Sequence, residues 1–128
     1  MYKINHIHIK SNDPETDANW FVKAFNFKIT SDEVRAVGDR FISCQSEDGF
    51  RVNISGERTN EKLGPSDADP HYGLEHFGLD SKNLEEDIQR LEGLGATLSE
   101  GPNEMPGMRI AFLKTPGNVR VELIQKDD

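Results

Sequence analysis

The chain has 128 residues, 34% hydrophobic and 30% charged, with a net charge of −8 at pH 7; this is the size and polarity of one globular domain and excludes a disordered chain. The acidic balance excludes nucleic acid and anionic membrane as the main partner, since both repel a negative surface. No apolar run reaches the roughly 18 residues of a membrane span and the N-terminus has no signal-peptide core, while the single cysteine, Cys44, has no partner for an internal disulfide, so a cytoplasmic protein is expected.

A strand is predicted from about Lys3 to Lys10. Its alternation puts His6, His8 and Lys10 on one face and Ile7 and Ile9 on the other. "NDPETDANWFVKAF" reads as a helix: Asp13 is a candidate N-cap, Pro14 suits the first position, and Ala18, Phe21, Val22 and Phe25 form an apolar stripe. Strand-like runs follow at "FKIT" with "EVRAV", at "RFISCQS" and at "FRVNIS", the last two joined by the turn "EDG". Cys44 lies within "RFISCQS" and is expected to be a buried, inert thiol. Residues 57–72 are polar and rich in turn formers, a linker. "LEHFGLD" is then a strand and "NLEEDIQRLEGLG" a helix, with Asn83 as cap, Leu84, Ile88 and Leu91 on one face, and Gly93 and Gly95 at its stop. A short strand "ATLSE", a loop "GPNEMPG" that either closes over a cleft or merely connects, a strand "RIAFLKT", the turn "PGN" and a strand "VRVELIQ" complete the chain.

The two halves repeat. A shift of 70 residues lays His6 on His76, Ser11 on Ser81, Glu15 on Glu85 and Asp17 on Asp87. A shift of 69 lays "FRVNIS" on "VRVELI", with Arg51 on Arg120 and Asn53 on Glu122. The element order is the same in both, so the chain is an internal duplication of a βαβββ unit. The expected organisation is one domain over 1–128, with units at about 1–56 and 73–128 and linker 57–72.

Each unit carries marked polar residues on its first and last strands: His6 and Asn53, then His76 and Glu122. On the last strand Val119, Val121 and Leu123 alternate with Arg120, Glu122 and Ile124, so the apolar trio faces the helix and Glu122 faces away from it. Two imidazoles and a carboxylate are the facial set that holds a divalent transition metal with positions open to water or substrate. Taken singly, each of these residues also fits a structural histidine or a solvated carboxylate; their repeat-related places favour the metal set of His6, His76 and Glu122. A metal-bound histidine needs a partner for its other nitrogen, and His8 or Glu75 is in sequence reach of that role. Lys10, on the His6 face, is a candidate for a substrate carboxylate or phosphate, or else an exposed strand-end lysine. Arg51 and Arg120 are anion clamps or sheet-surface charges. His71 and Tyr72 are loop candidates for acid–base work.

"NHIHIKSNDPETDANWF", with His6 seven residues before Asp13, resembles the opening of the vicinal oxygen chelate superfamily of glyoxalase I, thiol transferases, extradiol dioxygenases and bleomycin-binding proteins. "EHFGLDSKNLEEDIQRLEGLGA" resembles its second-half opening, with His76 in the ligand place, and "RIAFLKTPGNVRVELIQ" its closing hairpin, with Glu122 as ligand. The resemblance implies an α+β fold in which tandem βαβββ units pair into a cupped mixed sheet with helices on its outer face. It further implies a divalent metal, here Fe²⁺, Mn²⁺, Ni²⁺ or Zn²⁺, a small substrate with adjacent oxygens, and a homodimer. Asn53 departs from the Glu or Gln usual there, and its short neutral side chain fits a substrate contact better than a metal bond. The expected activity is glyoxalase-like lyase or isomerase chemistry with Glu122 and His8 in catalytic roles and Lys10, Asn53, Arg51 and Arg120 binding substrate. Its alternatives are extradiol-type oxygenation, thiol transfer, or metal-free binding of an antibiotic-like molecule.

Overall fold

A computed structural model describes all 128 residues and divides them into two compact units, Met1–Gly64 and Pro65–Asp128. The first contains β1 (His6–Lys10), α1 (Pro14–Phe25), β2 (Lys28–Val34), β3 (Arg40–Gln45) and β4 (Arg51–Ser55). The second contains β5 (Phe77–Asp80), α2 (Leu84–Gly93), β6 (Thr97–Met105), β7 (Met108–Lys114) and β8 (Arg120–Lys126). Each forms a four-stranded mixed sheet, in the order β1-β4-β3-β2 and β5-β8-β7-β6. The first strand of each unit runs parallel to the last, and the remaining pairs are antiparallel. The α+β class and the repeated βαβββ order are as expected.

Local chemistry sets both helices. Asp13 caps α1, accepting from the Thr16 amide at 3.2 Å, and Pro14 opens it. Asn83 caps α2 in the same way through the Glu86 amide at 3.1 Å. The α1 stripe buries Ala18, Phe21 and Ala24 against the inner face of its sheet, where Ile42, Cys44, Val52 and Ile54 are also buried. Burial raises the Cys44 thiol to about 11, so it is an inert core residue. In the second unit Leu84, Ile88 and Leu91 pack over Ala111, Leu113, Val121 and Leu123.

Two of the repeat matches form equivalent bonds. Ser11 Oγ donates to Asp17 Oδ2 at 2.5 Å, and Ser81 Oγ donates to Asp87 Oδ2 at 2.6 Å. Each serine amide also donates to the last strand, to Ser55 O at 2.9 Å and Ile124 O at 2.8 Å. The pair therefore ties the exit of each unit's first strand to the first turn of its helix.

Three boundaries differ from expectation. β1 begins at His6 and β5 at Phe77, because residues upstream find no ladder partner. β6 runs nine residues, through the segment read as a loop, and turns at Pro106–Gly107. The Gly and Pro read as loop punctuation sit at irregular pairings on an edge strand, where a missing proline N–H breaks no ladder bond. Gly101 has φ +91°, and a Cβ there would stand 2.7 Å from Ile110 O, so only glycine fits. Residues 101–105 are strand, and a loop closing over a cleft is not present.

The first unit also buries a carboxylate. Asp39 is 1% exposed and takes a two-pronged contact from Arg35, with Nε to Oδ1 at 2.8 Å and Nη2 to Oδ2 at 2.6 Å, and Lys10 Nζ stands 3.9 Å away. The Arg35 hydrogen bonds hold the Asp39 carboxyl below its ordinary 3.8. A depressed folded pKa contributes stability that is complete above the unfolded value and lost as pH falls through the folded one. The Tm, followed from pH 6 down to pH 2, is therefore expected to drop below about pH 4, and Asp39→Asn is expected to flatten that drop while lowering stability at neutral pH. An unchanged acid limb in the variant would refute the assignment.

Candidate functional site

The second unit brings His76 and Glu122 together: Nε2 lies 3.5 Å from Oε1. Glu122 is fixed by the ladder, between Gly78 on β5 and Phe112 on β7. His76 stands one residue before β5 and is therefore a diagonal neighbour of Glu122 rather than its direct partner. A Cβ at Gly78 would make an ordinary contact with Glu122 Oε1 at 3.4 Å and a tight one, 3.2 Å, with the end of the Ile124 side chain. The shift of 70 that relates the halves lays His8 on Gly78, so the second unit has no side chain at this place.

Phe112 walls the pair. The His76 ring meets it edge to face at 5.0 Å and 83°, and the Arg120 guanidinium lies over it at 4.3 Å. Arg120 is 4% exposed. Its Nη2 donates to Glu100 Oε1 at 3.2 Å and its Nη1 to Ser99 Oγ at 3.3 Å and Ala68 O at 3.5 Å. Glu75 Oε1 lies 3.3 Å from Arg120 Nε and 3.6 Å from His76 Nδ1. Neither contact has hydrogen-bond geometry, so His76 Nδ1 and Arg120 Nε are buried without a hydrogen bond.

The equivalent place in the first unit is built differently. His8 stands opposite Asn53, where the second unit has Gly78 opposite Glu122. The His8 Nε2 and Ser55 Oγ share a hydrogen bond at 2.7 Å, and the ring lies edge-on to Phe41 at 5.2 Å, with Arg35 over that ring at 4.3 Å. Although His8 retains exposed surface, burial of the rest of the ring, then the nearby Lys10, His6 and Arg35, lowers its pKa below 6.5. Asn53 is 5% exposed and its Oδ1 accepts from Ser43 Oγ at 2.9 Å. His6 is exposed, with Nδ1 2.7 Å from Asn5 Oδ1.

The remaining predicted residues are spread out. Lys10 Nζ donates to Gly56 O at 3.0 Å and Glu61 Oε1 at 3.2 Å, so its charge is used within its own unit. Arg51 is exposed and lines a cleft of about 360 Å³ with Asn5, Thr30, Gln45 and Phe50. The repeat pairs it with Arg120, yet one is exposed and the other buried. His71 pairs with Asp67 at 2.6 Å and Tyr72 is fully exposed. The structure gathers no three His, Cys, Asp or Glu side chains around one point. Glu75 and Phe112 owe their places to the fold, and Phe112 had no sequence signal.

The profile of the family described as the Glyoxalase/Bleomycin resistance protein/Dioxygenase superfamily matches residues 3–123. The chain belongs to that superfamily. No curated protein matches it by sequence. Among solved structures of the glyoxalase superfamily and its neighbours, it is similar to a glyoxalase family protein from Bacillus cereus, with a TM-score of 0.83, 14% identity and coverage of 100% of this chain and 96% of that one. It is similar to the fosfomycin resistance protein FosX from Listeria monocytogenes, whose structure holds Mn(II) and sulfate, at 0.75 and 14%, covering 99% and 94%. It is also similar to TnmS3, an antibiotic binding protein from Streptomyces sp. CB03234, at 0.71 and 16%, covering 99% and 98%. At such identities the likeness shows the glyoxalase fold alone. No helix is long and apolar enough to cross a membrane.

Proposed function

We propose that the chain is a metal-dependent enzyme of the vicinal oxygen chelate type, acting on a small molecule with adjacent oxygens. The observation that carries this is the 3.5 Å between His76 Nε2 and Glu122 Oε1. That is too long for a normal N–H···O bond. It matches the spacing of two ligands on one ion, about 3.4 Å for bonds of about 2.1 Å at a tetrahedral angle. The buried, unpartnered Nδ1 fits the same role, because a histidine that ligates through Nε2 carries its proton on Nδ1. The donor set therefore fits Fe²⁺, Mn²⁺, Ni²⁺ or Zn²⁺. His6 enters as third ligand on the repeat and the family resemblance, and the Mn(II) of FosX supports a divalent ion.

A bound ion would stabilise negative charge developing on substrate oxygen. The chain's own groups do the rest. Glu122 holds or accepts a proton from substrate carbon at its free carboxylate oxygen, which makes lyase or isomerase proton transfer the favoured reaction. His8, with Nε2 bonded to Ser55, presents Nδ1 as its exchanging atom. Asn53, Lys10 and Arg51 stand as polar groups for substrate, whereas Arg120, expected with them, is 4% exposed with its guanidinium bonded to Glu100, Ser99 and Ala68; a homodimer in the cytoplasm belongs to the same reading.

Metal content of protein purified without chelator, followed by titration of apo-protein with Mn²⁺ and Zn²⁺, tests it. One ion per chain is expected, and His76→Ala is expected to abolish it. No stoichiometric metal, and the same weak titration in wild type and His76→Ala, would leave metal-free small-molecule binding as the function.

A further inference from the structure

Two buried nitrogens of the second unit, His76 Nδ1 and Arg120 Nε, make no hydrogen bond, and one oxygen stands beside both. Glu75 Oε1 is 3.6 Å from the first and 3.3 Å from the second. Buried N–H groups left unbonded are costly, so a single acceptor serving two of them is placed under demand from both sides. At 41% exposed, the Glu75 side chain is the least confined of the three, against 28% for His76 and 3% for Arg120. Arg120 is held by Glu100, Ser99 and Ala68 and laid flat on Phe112. The same ring stops His76 from turning.

We infer that Glu75, anchored by Arg120, is the positioning residue that holds the His76 proton on Nδ1 and keeps the Nε2 lone pair facing Glu122. Both imidazole nitrogens face a carboxylate, Nδ1 that of Glu75 at 3.6 Å and Nε2 that of Glu122 at 3.5 Å, but Nδ1 is the buried one, so water does not serve it and Glu75 Oε1 is the acceptor within its reach. The purpose of this arrangement rests on the metal-site reading above, but the tautomer itself does not. Arg120 thus acts through Glu75, as a fixed cation beneath the histidine rather than a group that touches substrate.

Apo-protein labelled with ¹⁵N and examined by long-range ¹H–¹⁵N correlation at mildly alkaline pH reads the tautomer directly. Wild type is expected to show His76 protonated at Nδ1. Glu75→Ala is expected to move the proton to Nε2 or mix the two forms. Glu75→Gln, whose amide oxygen still accepts, is expected to restore the wild-type pattern. In parallel, Zn²⁺ affinity is expected to fall about 10–100-fold in Glu75→Ala and to recover in Glu75→Gln. An unchanged Nδ1 proton in Glu75→Ala overturns the inference whether or not metal binds. If no variant and no wild type binds Zn²⁺ or Mn²⁺, the metal reading falls, and the tautomer still decides the role of Glu75.

Discussion

Glu122→Ala is expected to lower the affinity for Mn²⁺ or Zn²⁺ by more than about 100-fold. Changing a residue that only orients a ligand costs roughly 10–100-fold, so removing the anionic ligand itself costs more. The variant removes the charge that would offset a bound ion while leaving His76 in place, because His76 rests on Phe112 and Glu75 as well as on Glu122. Stability is expected to stay within about 0.5 kcal/mol, since Glu122 points away from the packed face and its backbone pairing to Gly78 and Phe112 is kept. Glu122→Gln separates charge from shape: similar loss in both variants assigns the effect to the carboxylate. Isothermal titration with parallel thermal unfolding measures the two effects. An affinity unchanged in either variant, with the fold intact, removes Glu122 from the ligand set.

The largest stability effect is expected at the centre of the first unit. Phe21 is 1% exposed and stacks on Phe27 at 5.5 Å and 15°, with Trp20 edge-on at 5.4 Å. Phe21→Ala removes the ring from a cluster of rings that cannot collapse to fill the space, so a loss of about 3–5 kcal/mol is expected. Against a typical total of about 5–15 kcal/mol, that is a large share. The repeat supplies an internal control: the shift of 70 that relates the histidines lays Phe21 on Leu91, which is 0% exposed in the second unit. Leu91→Ala is expected to cost about 2–5 kcal/mol. Urea unfolding followed by circular dichroism measures both, and a midpoint unmoved by Phe21→Ala would show that the cluster contributes no packing energy.

Much of this architecture was legible because its signals act over a few residues. The Asp13 and Asn83 caps, the alternation of His6 with Ile7, and the Ser11/Asp17 and Ser81/Asp87 matches each concern groups within one turn or one strand. The repeat then joined those local signals into a topology. What could not be read depends on register. That Phe112 lies opposite Glu122, and so under both His76 and Arg120, follows from how β7 and β8 pair. The burial of Arg120, against the exposure of its repeat mate Arg51, follows from where Ser99, Glu100 and Ala68 come to rest. β6 was misread for a related reason, since Gly101 and Pro102 break a pattern locally yet are absorbed at an edge.

One consequence follows from where His76 sits. Glu122 is gripped by ladder bonds on both sides, whereas His76 lies just outside β5 and is held by the side chains around it. The pair behaves as a vice with one fixed jaw and one adjustable jaw. Substitutions at an exposed position such as Glu75 are expected to change which imidazole nitrogen carries the proton without disturbing the sheet, so the chemistry this pair offers can drift through changes that leave the core, and the stability it provides, untouched.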